Sequence, residues 1–163
     1  MLFSVSAATR TRRETEVDGK DYFFLSRQEF ERRIGAGELV EWEEIYGTLY
    51  GTLKSEVNKA LSSGKAMLFD IDVKGSLSIK RTYPNDSVLI FIKPPSIEIL
   101  EARLRGRKTE DDMTFRRRMD RVAMELGMAS QFDYQVVNDD LQAAIAEVDK
   151  LVMAHTTSVQ RAS

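Results

Sequence analysis

The chain has 163 residues, of which 42% are apolar and 31% are charged, and its formal net charge is −2. These values are typical of one soluble globular domain, and the nearly balanced charge gives no broad basic field for nucleic acid. With no cysteine and one histidine, the sequence excludes disulfides and thiolate metal sites and disfavours a histidine-based zinc site or Ser-His triad. The longest apolar run, residues 88–92, is far shorter than the roughly 20 residues of a membrane span, so we expect a cytoplasmic protein that binds neither membranes nor nucleic acid.

The first part of the chain alternates strand and helix patterns. Residues 21–25 predict a strand, and residues 26–37 predict a helix that opens with Ser and Glu three positions apart, as in a capping box. The alternation and glycines of residues 39–52 indicate a strand pair or hairpin. Residues 53–63 carry apolar side chains at helical spacing and predict a second helix.

The second part continues this alternation. Near-continuous apolar runs predict buried strands at residues 66–72, 88–92 and 133–139. Further helices are predicted behind Ser96 and from about Thr109. The apolar face of a closing helix is formed by Leu141, Ile145, Val148 and Val152. This order of elements predicts a doubly wound, three-layer α/β domain built on a parallel sheet.

Two aspartates end the predicted strand at residues 66–72. Ligands of parallel α/β sheets bind at the carboxyl ends of the strands, where Asp70 and Asp72 lie. An aspartate in that place can accept a ligand or hold magnesium, which makes Asp70 a weak candidate metal ligand. The alternative, a helix N-cap that follows the strand, is equally physical.

Serine and arginine residues near the amino terminus form the first candidate anion site. Arg10 and Arg13 are three positions apart, close enough to converge on one anion, and Ser6 precedes them. The planar guanidinium group matches phosphate or carboxylate with two parallel hydrogen bonds. The alternative is a basic amino-terminal segment that binds nothing.

The predicted hairpin carries a second group of polar side chains. Tyr50 and Thr52 offer hydroxyls beside glycines, where a ligand can approach the backbone closely. Glu41 lies in the partner segment, and its carboxylate can accept two N–H groups of a base such as guanine. The alternative is an exposed hairpin with ordinary solvated charges.

A third group is the basic run at residues 103–121. Its arginines could close over transferring phosphates as a helical flap, although a solvated helix face with ion pairs is the simpler interpretation. The Gly-Lys pair at residues 64–65 is not a P-loop, because the first glycine and the final Ser or Thr of that motif are missing. No G-x-x-x-x-G-K-[ST] motif occurs in the chain.

Seven segments together resemble guanylate kinase, in order and over nearly the whole chain. They are SVSAATRTRR, EVDGKDYFFLS, ELVEWEEIYGTLYGT, FDIDVKG, FIKPPS, RLRGRKTE and VVNDD. The resemblance implies a P-loop-kinase-like α/β fold and phosphoryl transfer from ATP, with Mg²⁺, to GMP. It also implies a domain over residues 1–156, with a GMP-binding subdomain at about 6–56, a lid at about 103–121 and a polar tail at 157–163.

The resemblance also assigns roles to individual residues. The positions that match the readers of the guanine base are Ser6, Glu41, Thr52 and Asp72. Those that match the ligands of the GMP phosphate are Arg10, Arg13, Tyr22 and Tyr50. Arg107 and Arg118 match the lid arginines, which makes them and Arg10 the candidate catalytic residues, and Asn138 lies near the adenine position of ATP.

The resemblance leaves the phosphate donor side incomplete. In the family a strand, the P-loop and a helix precede the segment at which this chain begins, so we expect an intact GMP site and an incomplete ATP site. Self-association could supply the missing central strand. Two alternatives remain open: a non-catalytic guanylate-kinase-like module that binds GMP or phosphorylated peptides, and a fragment of an active enzyme.

Overall fold

The computed structural model describes residues 1–106 and 112–159. They form two compact units, Met1–Ser87 and Val88–Ser163, which are described separately. Within the two described ranges, no helix combines the length and the apolar content that a membrane span requires.

The first unit contains six strands and three helices. The strands are β1 (Leu2–Phe3), β2 (Ala7–Ala8), β3 (Phe23–Phe24), β4 (Leu39–Ile45), β5 (Thr48–Leu53) and β6 (Met67–Leu68). The helices are α1 (Arg27–Gly35), α2 (Lys54–Ser62) and α3 (Val73–Thr82). Strand β1 pairs with β6 in parallel, and the other four strands form one mixed sheet in the order β3-β2-β5-β4.

The mixed sheet has one core face. Ala7, Leu49 and Leu53 lie on that face and pack with Leu39 and with Phe30 of α1. Helix α1 begins after Ser26, whose hydroxyl accepts the N–H of Glu29 as predicted, although the Glu29 carboxylate pairs with arginines of the same helix. The opposite face of the hairpin is left for polar side chains, because successive residues of a strand point to opposite sides.

A tight turn joins β4 to β5 and confirms the predicted hairpin. The two turn residues, Tyr46 and Gly47, have φ angles of 51° and 81°. Positive φ at both central positions is typical of the type I′ turn, whose twist matches that of the flanking strands.

An irregularity in β4 changes the direction of its side chains. Leu39 pairs with Leu53, but Glu41 pairs with Thr52, so two steps along β4 correspond to one step along β5. This β-bulge places Leu39 and Glu41 on opposite faces, although residues two apart in a regular strand share a face. Leu39 therefore enters the core, and Glu41 turns to the polar face.

The strand predicted at residues 66–72 is shorter than expected. Only Met67 and Leu68 pair, with Leu2 and Phe3. The chain then leaves the sheet, and Asp72 becomes the N-cap of α3, the helix that the capping alternative implies. The backbone of Asp72 is extended and its side chain accepts the N–H of Gly75, so the capping interpretation of this aspartate is confirmed.

The described residues of the second unit form two strands and three helices. They are β7 (Ile90–Lys93), α4 (Ile97–Arg105), α5 (Asp112–Gly127), β8 (Tyr134–Val137) and α6 (Leu141–Val159), and a short 3-10 turn, Ala129–Gln131, precedes β8. The two strands pair in parallel. Helix α4 begins behind Ser96 as predicted, and the Ser96 hydroxyl caps it by accepting the N–H of Ile99.

The α/β class predicted from the sequence is confirmed, but several details differ. Among the described residues, parallel pairing occurs in β1-β6, in β7-β8 and between β2 and β3 of the mixed sheet, rather than in one continuous parallel sheet. On α6, Leu141 and Ile145 are 59% and 45% exposed, so the predicted apolar face was wrong at its first two positions. In this part of the helix the buried residue is Ala144. The predicted helix start near Thr109 lies outside the described residues.

The central core residue of the mixed sheet provides a test of the fold. Phe30 is fully buried, so Phe30→Ala should lower the free energy of unfolding by about 3–5 kcal/mol through lost burial and the cavity left behind. Urea unfolding followed by circular dichroism measures this loss. Gln28→Ala, at an exposed position of the same helix, is the matched control and should change it by less than about 0.5 kcal/mol. Equal effects of the two variants would contradict the assigned core.

Candidate functional site

A cleft of about 290 Å³ opens on the polar face of the hairpin. Five of the eight residues assigned to GMP by resemblance line it: Ser6, Tyr22, Glu41, Tyr50 and Asp72. Asp70, the candidate metal ligand, also lines the cleft, together with Glu43, Ile45, Gly51 and Ile71. The register explains part of this arrangement, since Glu41, Glu43 and Ile45 pair with Thr52, Tyr50 and Thr48.

One side of the cleft is built around the Glu41 carboxylate. The Thr52 hydroxyl donates a hydrogen bond of 2.6 Å to Glu41 Oε1. Burial, with a smaller contribution from nearby Asp72, raises the pKa of Glu41, and the bond from Thr52 opposes this shift. Thr52 is fully buried and does not line the cleft. Its hydroxyl therefore binds the Glu41 carboxylate from the buried side, away from the cleft.

Asp72 supplies the second carboxylate of this side. Its Oδ1 accepts the N–H of Gly75 at 2.7 Å, which fixes the side chain at the amino terminus of α3. A capping side chain of this kind satisfies one of the free N–H groups of the first helical turn. Glu41 and Asp72 thus present two carboxylates to one cleft. Burial raises the pKa of the first, and the helix cap fixes the position of the second.

Arg10 forms the basic side of the site. Its two terminal nitrogens, Nη1 and Nη2, bind the two Glu16 oxygens at 2.7 and 2.5 Å. The guanidinium carbon lies 4.8 Å from the ring centroid of Tyr22 and 5.4 Å from that of Phe24. The hydrogen bond to Glu16, and to a smaller extent one to Tyr50, raises the pKa of Arg10. Arg10 is thereby a fixed cation beside two phenols that line the cleft.

Glu16 is held as firmly as the arginine that it binds. Its Oε2 also accepts the backbone N–H of Arg13 at 2.8 Å. These two partners, Arg10 first, lower the pKa of Glu16 to about 2. The carboxylate is therefore ionised at every pH at which a folded protein is normally studied, and the Arg10 charge is always partly balanced.

The loop that carries Arg10 is fixed to the sheet by its preceding residue. Thr9 donates its N–H to the carbonyl of Leu49, and its hydroxyl accepts the N–H of Leu49 at 2.9 Å. Leu49 is the neighbour of Tyr50 on β5, and Thr9 is the neighbour of Arg10. This pair of bonds therefore holds the backbone of Arg10 close to that of Tyr50.

The remaining candidate residues lie elsewhere. The side chain of Arg13 is exposed and does not line the cleft. In the second unit, Arg118 is on α5, and Asn138 follows β8 with its carbonyl accepting a 2.8 Å bond from Arg103. Arg107 lies outside the described residues.

The residues present do not form a protein-only magnesium site. Among residues 1–106 and 112–159, no three acidic or histidine side chains gather in a way that could hold a metal ion. Asp70 lines the cleft, but one carboxylate cannot supply the near-octahedral oxygen shell that Mg²⁺ requires.

Two important residues of the site were not predicted from the sequence. Glu16 lies six positions after Arg10 in a run of mixed charges, and no local spacing rule marks such a pair. Glu43 has a signal in retrospect, because it alternates with Glu41 along β4 and therefore faces the same cleft.

Comparison with known proteins identifies the family. The guanylate kinase family model matches residues 1–155. The guanylate kinase of Salinibacter ruber is 50% identical over 148 residues, which are 90% of this chain and 78% of that protein. The guanylate kinase of Carboxydothermus hydrogenoformans is 40% identical over 161 residues, covering 99% and 78% of the two chains. The crystal structure of guanylate kinase from Anaplasma phagocytophilum matches with a TM-score of 0.78 and 30% identity, covering 95% of this chain and 76% of that one. This chain therefore belongs to the guanylate kinase family.

Proposed function

We propose that this chain binds GMP in the cleft of the first unit, as the phosphate acceptor of the reaction GMP + ATP → GDP + ADP. The observation that carries the proposal is the Glu41–Thr52 pair beside Asp72, in a cleft whose other lining residues include two phenols next to Arg10. The names of the relatives support the same substrate.

Guanine would be read by the two carboxylates. The base has an N1–H and a 2-amino group on one edge, and both are donors that carboxylate oxygens accept. Burial of Glu41 carries a desolvation cost, which these N–H donors would offset when the base binds. Thr52 would act by fixing the carboxylate before the base arrives.

The GMP phosphate would lie on the basic side. Arg10 is already oriented by Glu16 and by the rings of Tyr22 and Phe24, so little rotamer entropy remains to be lost on binding. Tyr22 and Tyr50 would add hydroxyl donors. We place Arg13 here by resemblance, with its side chain turning in from the surface.

The donor side of the reaction is supported less directly. ATP, with Mg²⁺, would be met by Arg107 and Arg118 at the phosphates and by Asn138 near adenine, as the resemblance implies. No P-loop motif occurs in the 163 residues. Because that loop supplies the N–H cradle and lysine for the donor phosphates, we propose that these residues bind GMP but transfer phosphate slowly by themselves.

GMP binding by titration calorimetry is the direct test. The wild-type chain should bind GMP, and Glu41→Gln should weaken binding about 10- to 100-fold through loss of a charged acceptor. Glu44→Gln removes the same charge from an exposed position of β4 and should leave the affinity unchanged. Competition with a phosphoserine peptide tests the alternative: a peptide that displaces GMP, with Glu41→Gln binding GMP normally, would favour a phosphopeptide module.

The raised pKa of Glu41 predicts a pH dependence of GMP affinity. N–H donors favour the ionised carboxylate, so the pKa of Glu41 should be lower in the complex than in the free protein. GMP binding then releases a proton. The affinity for GMP should therefore rise as the pH rises above the ordinary glutamate pKa, up to the raised pKa of Glu41 in the free protein. The phosphate of GMP titrates near pH ~6 in the same experiment. Glu41→Gln retains that phosphate contribution and should lose only the lower-pH part of the profile; identical profiles would contradict the role of Glu41.

A coupled assay of ADP formation tests the donor side. The chain alone should turn over at least about 100-fold more slowly than the same chain preceded by a segment that supplies a P-loop, because removal of even one transition-state donor costs about that much. GMP affinity should be equal in the two proteins. Equal turnover numbers would contradict the incomplete ATP site.

A further inference from the structure

Gly75 is a buried glycine in the first turn of α3, directly against the two carboxylates. Its N–H donates to Asp72 Oδ1, and its Cα faces the side chain of Glu41 across the contact between α3 and β4. Its φ angle does not lie in the left-handed region. Backbone conformation therefore does not demand glycine at this position.

The space beside Gly75 is occupied by carboxylate oxygens. A methyl group there would lie 2.9 Å from Glu41 Oε2 and 3.1 Å from Asp72 Oδ1. The first distance is shorter than real Cβ contacts, so one of the two groups would have to move. Asp72 is held by its cap, whereas Oε2 is the far end of the longer Glu41 side chain. Glu41 would therefore be displaced.

We propose that Gly75 is a positioning residue for guanine recognition: its missing side chain leaves the space in which the Glu41 carboxylate meets Asp72 at the cleft. This inference rests on the proposed binding of GMP. It adds that the selectivity of the site for guanine depends on the absence of a Cβ atom at Gly75.

A purely structural role for Gly75 predicts a different result. Alanine has a higher helix propensity than glycine, and displacement of a flexible carboxylate end disturbs little of the core. Gly75→Ala should thus retain the melting temperature of the wild type while losing affinity for GMP. If Gly75 were needed only for packing, Gly75→Ala would lower the melting temperature and retain the affinity for GMP.

The experiment compares GMP with inosine monophosphate, which lacks the 2-amino group, on wild-type, Gly75→Ala and Gly35→Ala proteins. Gly35 ends α1 with open space around it, so its alanine variant is the matched control. Gly75→Ala should bind GMP about tenfold or more weakly, with a smaller loss for inosine monophosphate. In a Glu41→Gln background, the same substitution should change GMP affinity by less than about twofold, because it acts through Glu41.

A ligand-free measurement separates this inference from the proposed function. The pKa of Glu41, followed by carboxyl NMR, should move towards its ordinary value in Gly75→Ala as the carboxylate leaves its buried place. An unchanged Glu41 pKa, or a GMP affinity within about twofold of wild type, would overturn the role of Gly75. A wild-type protein that does not bind GMP, with the pKa change present, would overturn the proposed substrate and leave the positioning intact.

Discussion

The hydrogen bond from Thr52 to Glu41 is the constraint on which the acidic side of the site depends. It joins two paired strands across their polar face, in a position fixed by the register of the hairpin. The same register places Glu43 opposite Tyr50, so the sheet sets acidic and phenolic groups side by side. The core on the other face, packed on Phe30, keeps that register from slipping, because a slip of one residue would exchange the two faces.

The basic side is fixed by a different kind of constraint. Arg10 lies in a loop without regular pairing, and its orientation comes from Glu16, two aromatic rings and the preceding Thr9. The arginine and its partner carboxylate remain charged over the whole working range of pH. The acidic side behaves differently, since burial raises the pKa of Glu41. At the end of the cleft proposed for guanine, a change of pH should therefore act through the Glu41 carboxyl of the protein. At the Arg10 end, it should act through the phosphate of the ligand.

Motifs and periodicity predicted much of this architecture, and the failures have physical causes. The hairpin, the cap at Ser26 and the helix start behind Ser96 follow from local rules and were correct. The paired length of the strand at Met67–Leu68 depends on a partner strand, which apolar runs do not reveal. Glu16 reaches Arg10 only through the folded loop. The close approach of Glu41 to Gly75 joins two elements distant in sequence, so no spacing rule could indicate it.

The bulge in β4 has a consequence for how this site can change. If Leu39, Val40 and Glu41 all paired in a regular ladder, Leu39 and Glu41 would share one face of the sheet, and one of them would lie on the wrong side. The extra residue of the bulge thus lets a core leucine and a cleft glutamate lie two positions apart in the sequence. A deletion of Val40 would therefore make the two residues neighbours in a regular strand, with Leu39 still opposite Leu53 in the core and Glu41 still opposite Thr52 at the cleft.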